Sequence, residues 1–173
     1  FCCHTSFIFE RPTSMKASFN ISPRVLEHFG VSAYTSLKKC LTELCSNCYD
    51  ADATHIWITI PSSNSNDQRI IIKDDGLGMD EEEIKSKYLY IGYNRRLVDG
   101  TDASPSKKRE IIGNKGIGKL AAFGVANIIE VTTIKDGMKS SFLLDKNIFE
   151  SYNTLSECKI IIKSSKTEEG NGT

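Results

Sequence analysis

A carboxylate, an amide and a second carboxylate recur at helical spacing in one segment of this 173-residue chain. Glu43, Asn47 and Asp50 occupy positions i, i+4 and i+7, which places them on one face of a helix. Asp50 and Asp52 lie near the end of the predicted helix, where the helix dipole disfavours negative charge. Oxygen ligands gathered there would suit a hard cation such as Mg²⁺, whereas the alternative is an ordinary solvated polar face.

Two glycine-rich segments could contact a ligand through their backbones. The first, DDGLGM at residues 74–79, directly follows a predicted strand. Two glycines separated by one residue let the backbone turn sharply and approach a flat ligand. The Asp74 carboxylate at the strand end could accept a hydrogen bond from an exocyclic amine. An ordinary strand-to-helix turn would use the same residue types, so this segment alone leaves both interpretations open.

The second segment, GNKGIGK at residues 113–119, precedes a predicted helix whose first N–H groups and dipole would hold anionic oxygens. It is not a P-loop, because Lys119 is followed by Leu120 rather than Ser or Thr. Its GxxGxG spacing also differs from the dinucleotide-binding fingerprint. A flexible hinge before a helix is the alternative.

The periodicity of apolar residues predicts the elements that position these segments. Helices are predicted at residues 23–29, 32–50 and 80–89, and a further helix follows the second glycine segment to about residue 127. Strands are predicted at residues 56–60, 69–73, 128–135, 139–145 and 159–163, with a hairpin turn at Asp136-Gly137. This order favours an α+β two-layer sandwich, with helices on one face of a mixed, mostly antiparallel sheet.

The composition excludes several classes of protein. The 22 basic and 22 acidic side chains give a net charge of zero, so there is no general attraction to nucleic acid or acidic membranes. No apolar run approaches the roughly 20 residues of a membrane-spanning helix. The first residues lack the charged start and apolar core of a signal peptide, which favours a cytoplasmic location, or a nuclear one in a eukaryote.

Six cysteines are expected to be reduced thiols in such a compartment. Cys45 and Cys48 have CxxC spacing, but the candidates for a second ligand pair are confined to Cys2, Cys3 and His4. Packing of small thiols along a helix is therefore favoured over a zinc or redox site.

Together these motifs resemble the GHKL superfamily of ATPases, which share the Bergerat fold. Its members include gyrase B, the heat-shock chaperone of this class, histidine kinases, MutL and the microrchidia (MORC) proteins. The ExxxNxxDA pattern falls on Glu43, Asn47, Asp50 and Ala51, and the DxGxGM pattern on Asp74, Gly76, Gly78 and Met79. IGNKGIGKLAAF at residues 112–123 matches the glycine-rich lid motif, and Gly172-Thr173 is similar to the GT of the last strand.

The resemblance implies a role for each matched residue. Glu43 would be the general base that orients and activates the attacking water, Asn47 would coordinate a Mg²⁺ ion that bridges the phosphates, and Asp50 would support the pocket wall. Asp74 would bind the adenine amino group, assisted by Thr173 directly or through water. The base pocket would be lined by Gly76, Gly78 and Met79.

The second glycine segment would hold the phosphates of ATP, with residues 92–112 as a lid. Backbone N–H groups would come from Gly113, Lys115, Gly116, Ile117, Gly118, Lys119 and Leu120. Catalysis would then consist of positioning and charge neutralisation, as phosphoryl transfer requires.

The branch of the superfamily bears on the reaction. NCYDADAT at residues 47–54 differs from the NAxKF/Y of histidine kinases and is closer to MutL, MORC and the chaperone, and His28 lacks the context of a phospho-acceptor domain. We therefore predict an ATP hydrolase whose lid closure drives homodimerisation of a larger protein. A nucleotide-sensing module without hydrolysis and a histidine-kinase-type phosphotransferase are the alternatives. Nucleic acid or a client protein as a further partner stays open.

The resemblance also sets the expected boundaries. Residues 20–173 are predicted to be the ATP-binding domain, and residues 1–19 a tail or extension. Hydrolases of this superfamily generally need a Lys or Arg from a following domain, and the last strand breaks off at Thr173. We therefore expect an excised domain that binds ATP and hydrolyses it slowly by itself.

Overall fold

The computed structural model describes residues 13–18, 20–21, 36–91, 93, 98, 100, 102–113, 118–150 and 158–173. The strands are β1 (Thr13–Ser18), β2 (Asn20–Ile21), β3 (Ile56–Thr59), β4 (Ile71–Asp74), β5 (Tyr90–Ile91), β6 (Ile128–Lys135), β7 (Met138–Asp145) and β8 (Lys159–Lys166). The α-helices are α1 (Leu37–Asp50), α2 (Glu81–Glu83) and α3 (Lys146–Glu150). A π-helical turn spans Ile84–Tyr88, and a 3₁₀ helix spans Gly118–Gly124.

An antiparallel sheet with the strand order β1-β8-β7-β6 is the main layer of the fold. Its β6–β7 hairpin forms because Asp136 and Gly137 both adopt positive φ, at 51° and 75°. This turn geometry matches the natural twist of the two flanking strands. Along β8, Ile160 and Ile162 are buried while Ile161 between them is exposed, which is the alternation of a strand with one buried face. The sheet therefore has one apolar face that must be covered.

Helical segments cover that apolar face. The core consists of Ile84, Leu89, Val131, Phe142, Leu144, Ile160 and Ile162. The first of these belongs to the π-helical turn, and Phe123 of the 3₁₀ helix and Phe149 of α3 pack against the same core. A sheet on one side and helical segments on the other confirm the predicted α+β fold class.

Two small sheets complete the strand layer, with β3 antiparallel to β4 and β2 parallel to β5. The β3–β4 pair is joined to the main sheet through Gly172 and Thr173. The Gly172 N–H donates to the Ile134 carbonyl at 3.0 Å, and the Thr173 carbonyl accepts from the Asp74 N–H at 2.8 Å. These two residues therefore lie between β6 and β4.

Strand β1 differs from the sequence prediction, which placed residues 1–19 in a tail and the start of the domain at residue 20. Thr13–Ser18 instead pairs along its whole length with β8 at the edge of the main sheet. Its apolar alternation is limited to Met15 and Ala17, which lie opposite Ile162 and Ile160. So short a pattern in a polar segment gives little signal of a strand, because strand formation depends strongly on the neighbouring strand as well as on the segment's own residues.

The helical segments differ from the predicted helices mainly in the kind of helix that they form. The predicted helix 80–89 starts with a capping box, in which the Asp80 carboxylate accepts from the Glu83 N–H at 2.8 Å. It then widens, because the Leu89 N–H donates to the carbonyl of Ile84 five residues earlier. The segment after the second glycine loop is a 3₁₀ helix that ends at Gly124. The predicted helix 23–29 lies outside the described residues.

Among the helices in the described part of the chain, none is both long enough and apolar enough to cross a membrane.

Candidate functional site

Helix α1 carries the three polar residues at helical spacing. It begins after Ser36, whose hydroxyl accepts a hydrogen bond from the Lys39 N–H at 3.3 Å. Asn47 is exposed, Glu43 is half-buried, and Asp50 is buried with 8% of its surface exposed. The trio is therefore not a uniformly solvated polar face, since each of its members has a different environment.

The Asp50 carboxylate accepts hydrogen bonds from the backbone at the start of the second glycine segment. One carboxylate oxygen accepts from the Ile112 N–H and the other from the Gly113 N–H, both at 2.8 Å. Asp52 likewise accepts hydrogen bonds from the N–H and the hydroxyl of Ser106, each at 2.7 Å. Hydrogen-bond donors from a distant segment therefore compensate the negative charge of both acidic residues at the helix end. Both carboxylates have hydrogen-bond partners in the chain, and a cation site at this helix end stays a prediction. Among the described residues, no three His, Cys, Asp or Glu side chains are grouped so as to hold a metal ion.

Glu43 faces the start of the 3₁₀ helix. A Cβ atom on Gly118 would lie 2.5 Å from Oε2 of Glu43, so the backbone lies close against this carboxylate and a side chain at position 118 would displace it. The structure thus brings Glu43 together with the predicted phosphate segment. Gly113 is also brought to α1, but its N–H is engaged by Asp50 rather than free for a ligand.

The remainder of the predicted phosphate segment is described only in part. Lys115, Gly116 and Ile117 lie outside the described residues. Lys119 and Leu120 belong to the 3₁₀ helix that Gly118 opens.

Asp74 at the end of β4 is buried, with 6% of its surface exposed. Its Oδ1 accepts from the Gly76 N–H at 2.8 Å. Burial raises the pKa of Asp74, although hydrogen bonds from the Gly76 N–H, the Cys48 thiol and the Thr173 backbone oppose that change. A carboxylate has about four lone-pair sites, so Asp74 can still accept a hydrogen bond from a ligand amine.

The Cys48 thiol links α1 to that carboxylate. Burial, together with the charge of Asp74 and a hydrogen bond to it, raises the pKa of Cys48 to about 12. The thiol is therefore neutral near pH 7 and acts as a donor to Asp74. The sequence favours packing over a zinc site for Cys48 and does not indicate this contact, although the position of Cys48 one turn after Leu44 on α1 predicts burial.

The first glycine segment turns around the end of β4. Gly78 has a φ of 66°, and a Cβ atom there would overlap the Ile134 carbonyl, so both its conformation and its close approach require glycine. The Met79 N–H donates to Oγ1 of Thr133 at 2.9 Å, and Oγ1 of Thr133 lies 2.9 Å from Oγ1 of Thr173. The predicted base-pocket residues are thus assembled around one hydroxyl.

Thr133 was not predicted from the sequence. It is fully buried on β6, between the buried residues Val131 and Ile134. A polar residue on the inward face of a strand is the signal that could have identified it, because buried polar groups need a hydrogen-bond partner.

Asp75, next to Asp74, has a different role. It accepts hydrogen bonds from the backbone N–H groups of Thr54 and His55 at 2.7 Å, and from the Thr54 hydroxyl at 2.6 Å. These donors lower the pKa of Asp75 below its usual range. The carboxylate therefore fastens the start of β3 to the end of β4.

A groove of about 810 Å³ runs along a different side of α1. It is lined by Leu37, Lys38, Leu41, Thr42, Cys45, Ser46, Tyr49, Ile56 and Ile112. Neither Glu43 nor Asp74 borders it, so this groove is separate from the predicted site.

Known proteins similar to this chain share its central region. The family model for histidine kinase-, DNA gyrase B- and HSP90-like ATPases matches residues 34–172. A protein described as the type II restriction enzyme HgiDII of Herpetosiphon aurantiacus is 36% identical over 131 residues, which are 76% of this chain and 20% of that protein. The chaperone protein HtpG of Halalkalibacterium halodurans is 29% identical over 152 residues, 78% of this chain and 24% of that protein. The chain therefore spans about a fifth of the length of the first of these relatives.

A solved topoisomerase IV ATP-binding domain from Francisella tularensis, in complex with a small-molecule inhibitor, aligns with 90% of this chain and 42% of its own. The TM-score is 0.40 at 16% identity, a likeness too distant to support a functional argument.

Proposed function

Because the chain belongs to the family of histidine kinase-, DNA gyrase B- and HSP90-like ATPases, we propose that it binds Mg-ATP between α1 and the end of β4 and hydrolyses it to ADP and phosphate. Family membership confirms the resemblance that the sequence motifs gave. The observation that carries the proposal for this chain is the buried carboxylate of Asp74, enclosed by a glycine turn on one side and by Thr173 on the other.

Adenine would bind at Asp74. Its carboxylate would accept a hydrogen bond from the exocyclic amine, and the neutral Cys48 thiol and the Gly76 N–H would fix the orientation of that carboxylate. The hydroxyl of Thr173, held by Thr133, lies in the same group of residues and would contact the base directly or through water. Gly78 and Met79 would line the pocket.

The phosphates would lie toward Glu43. Because the Gly113 N–H is engaged by Asp50, we assign phosphate binding to the residues after it, from Lys115 to Leu120. Backbone N–H groups at the start of a helical segment favour anionic oxygens. Gly118 brings this segment against Glu43, so the γ-phosphate would be placed next to the proposed base.

Magnesium would be held by Asn47. Its side chain is exposed one helical turn from Glu43, and an amide oxygen is a ligand that Mg²⁺ accepts together with water and phosphate oxygens. When bound, the ion would neutralise charge on the phosphates. We do not assign Asp50 as a magnesium ligand, because its carboxylate already accepts hydrogen bonds from two backbone N–H groups.

In the proposed reaction, Glu43 orients a water molecule in line with the bond between the γ-phosphorus and the bridging oxygen of ADP. Glu43 accepts the proton of that water as its oxygen bonds to phosphorus, and the bond to ADP breaks with its electron pair on the leaving oxygen. Backbone N–H groups of the glycine segment would stabilise the charge that develops on the phosphoryl oxygens.

The adenine assignment is tested by Asp74→Asn in an ATP titration by calorimetry. The change replaces a carboxylate acceptor with an amide whose NH₂ group would face the adenine amine, so we expect ATP affinity to fall by about 10- to 100-fold. Asp67→Asn is the matched control, because Asp67 is exposed in the β3–β4 turn and bonded to Arg69. Equal ATP affinity in the two variants would remove Asp74 from the site.

The hydrolytic assignment is tested by Glu43→Ala, measured as phosphate release by the full-length protein. We expect turnover to fall by about 100-fold or more while ATP binding persists, since a general base contributes to the transition state. Glu82→Ala, at an exposed position of α2, is the control. Tight ATP binding without phosphate release in the unaltered protein would instead favour a nucleotide-sensing module, and phosphate transfer to the protein itself would favour a kinase.

Lid closure and dimerisation are proposed in addition to ATP binding and hydrolysis. We propose that closure of residues 92–112 over ATP favours association of two copies of the full-length protein, with a Lys or Arg from another segment completing the charge neutralisation. The molar mass in solution, measured by light scattering, should double with ATP in Glu43→Ala and stay monomeric in Asp74→Asn. Dimers that form equally without nucleotide would contradict this coupling.

A further inference from the structure

A small hairpin precedes the second glycine segment. Residues 102–111, here called the 102–111 hairpin, are closed by an antiparallel bridge between Ala103 and Glu110. The Ser104 N–H donates to the Arg109 carbonyl at 2.8 Å, and the Lys107 N–H donates to the Ser104 carbonyl at 2.8 Å. The hairpin lies within the predicted lid and ends directly before Ile112 and Gly113.

Two side-chain contacts dock the hairpin on the C-terminal end of α1. The Asp52 carboxylate accepts from the N–H and the hydroxyl of Ser106, each at 2.7 Å. From the hairpin side, Nη1 of Arg109 donates to the Ala53 carbonyl at 2.6 Å and to the Tyr49 carbonyl at 3.3 Å. The Arg109 guanidinium also lies 4.8 Å from the centre of the Tyr49 ring. A cation at the C-terminal end of a helix is favourable, because it interacts with the negative end of the helix dipole.

The backbone conformation at Asp52 indicates that its side chain is required for the contact with Ser106. Helix α1 ends in a Schellman motif, in which the Ala53 N–H donates to the Cys48 carbonyl and the Asp52 N–H to the Tyr49 carbonyl. The residue in the left-handed conformation of this motif is usually glycine, yet here it is Asp52, with a φ of 62°. A side chain at this position costs stability relative to glycine. The two hydrogen bonds to Ser106 offset that cost.

We propose that Asp52 and Arg109 are positioning residues that hold the 102–111 hairpin on α1, so that Ile112 and Gly113 remain bonded to Asp50 and the backbone enters the phosphate segment from a fixed place on α1. Neither residue touches the nucleotide; they act through the backbone that leads into the glycine loop. The functional half of this inference rests on the proposed ATP site. The docking half concerns the chain without nucleotide.

The docking half is tested by hydrogen exchange at the Ile112 and Gly113 amides in the nucleotide-free chain. Arg109→Ala should raise exchange at both amides by about tenfold or more, because opening of the hairpin frees their bonds to Asp50. Lys108→Ala is the matched control: it removes the same charge from an exposed neighbour in the same hairpin and should leave the rates unchanged. Wild-type exchange at both amides in Arg109→Ala would overturn the proposal.

Asp52 provides independent variants with a different backbone consequence. Asp52→Gly relieves the left-handed strain but loses both bonds to Ser106, so the inference predicts faster exchange at Ile112 and Gly113 in spite of the better backbone. Asp52→Asn tolerates the same φ and keeps one carbonyl acceptor, so its rates should lie between those of the wild type and Asp52→Gly. Amides of the β7–β8 pair report global unfolding; exchange that rises equally there and at Gly113 in all variants would overturn a local docking role.

The functional half is tested by ATP affinity in the same variants. Arg109→Ala and Asp52→Gly should weaken ATP binding by about tenfold, and Arg109→Lys should recover part of that loss, because lysine keeps the charge but lacks the planar fork of donors. Faster exchange with unchanged ATP affinity would overturn the coupling to the site. Failure of the unaltered chain to bind ATP would overturn the proposed function itself, and normal binding in both the wild type and Arg109→Ala would overturn this inference alone.

Discussion

Replacement of Thr133 by Val tests whether one buried hydroxyl holds the glycine turn at residues 76–79 to the main sheet. Thr133 has no exposed surface, and its Oγ1 accepts from the Met79 N–H at 2.9 Å and lies 3.2 Å from the Gly172 carbonyl. Valine has nearly the same shape, so little packing is lost and the Met79 N–H is left without its acceptor. An unsatisfied buried donor costs about 1 to 3 kcal/mol.

For a chain of this length a loss of about 2 kcal/mol lowers Tm by roughly 4 to 8 °C. In urea the midpoint should fall while the slope of the transition stays the same, because the surface exposed on unfolding is unchanged. Thr132→Val is the matched control, since Thr132 lies on the opposite face of β6 and is only half-buried. Thr133→Ser keeps the hydroxyl and should retain most of the stability. Equal midpoints for Thr133→Val and Thr132→Val would refute the role of the hydroxyl.

Three further predictions concern the surroundings of the site. Gly118→Ala places a methyl group 2.5 Å from Oε2 of Glu43, so phosphate release should fall by about tenfold or more with a smaller change in ATP affinity; equal turnover would contradict the close approach. Because the pKa of Asp75 is lowered in the folded chain, its contribution to stability is present above the unfolded pKa of about 3.9 and is lost as the pH falls below that value. Asp75→Asn should therefore flatten the acid side of a plot of unfolding free energy against pH. An unchanged acid side would refute this. The raised pKa of Cys48 predicts that this thiol resists alkylation at pH 8 in the folded chain and reacts after denaturation, as mass spectrometry of digested peptides would show; rapid labelling of folded protein would count against its burial.

Local signals in the sequence were enough for the β6–β7 hairpin and for the class of fold. Asp136-Gly137 predicts a two-residue turn whatever surrounds it, and the flanking apolar alternation fixes which face is buried. The periodicity of α1 likewise predicted the helix whose C-terminal end the structure places at Asp50. These features depend on residues a few positions apart, so the chain sequence contains them directly.

Contacts between distant segments were not predictable in the same way. Nothing near Asp50 in the sequence indicates that its carboxylate accepts hydrogen bonds from N–H groups some 60 residues later. The partner of β1 is also far along the chain, in β8. Arg109 and Thr133 were missed for the same reason, because each one's role lies in a partner chosen by the tertiary fold.

The position of Gly172 and Thr173 between β6 and β4 has a consequence for the order of assembly during synthesis. Thr173 supplies the acceptor for the Asp74 N–H and contacts Thr133, although it is made roughly 100 residues after Asp74. The hairpins and α1 can form as soon as they are synthesised, since their contacts are local. The pocket around Asp74 cannot close until Thr173 has left the ribosome. A nascent chain lacking these two residues would therefore form its hydrophobic core before the proposed adenine pocket is complete.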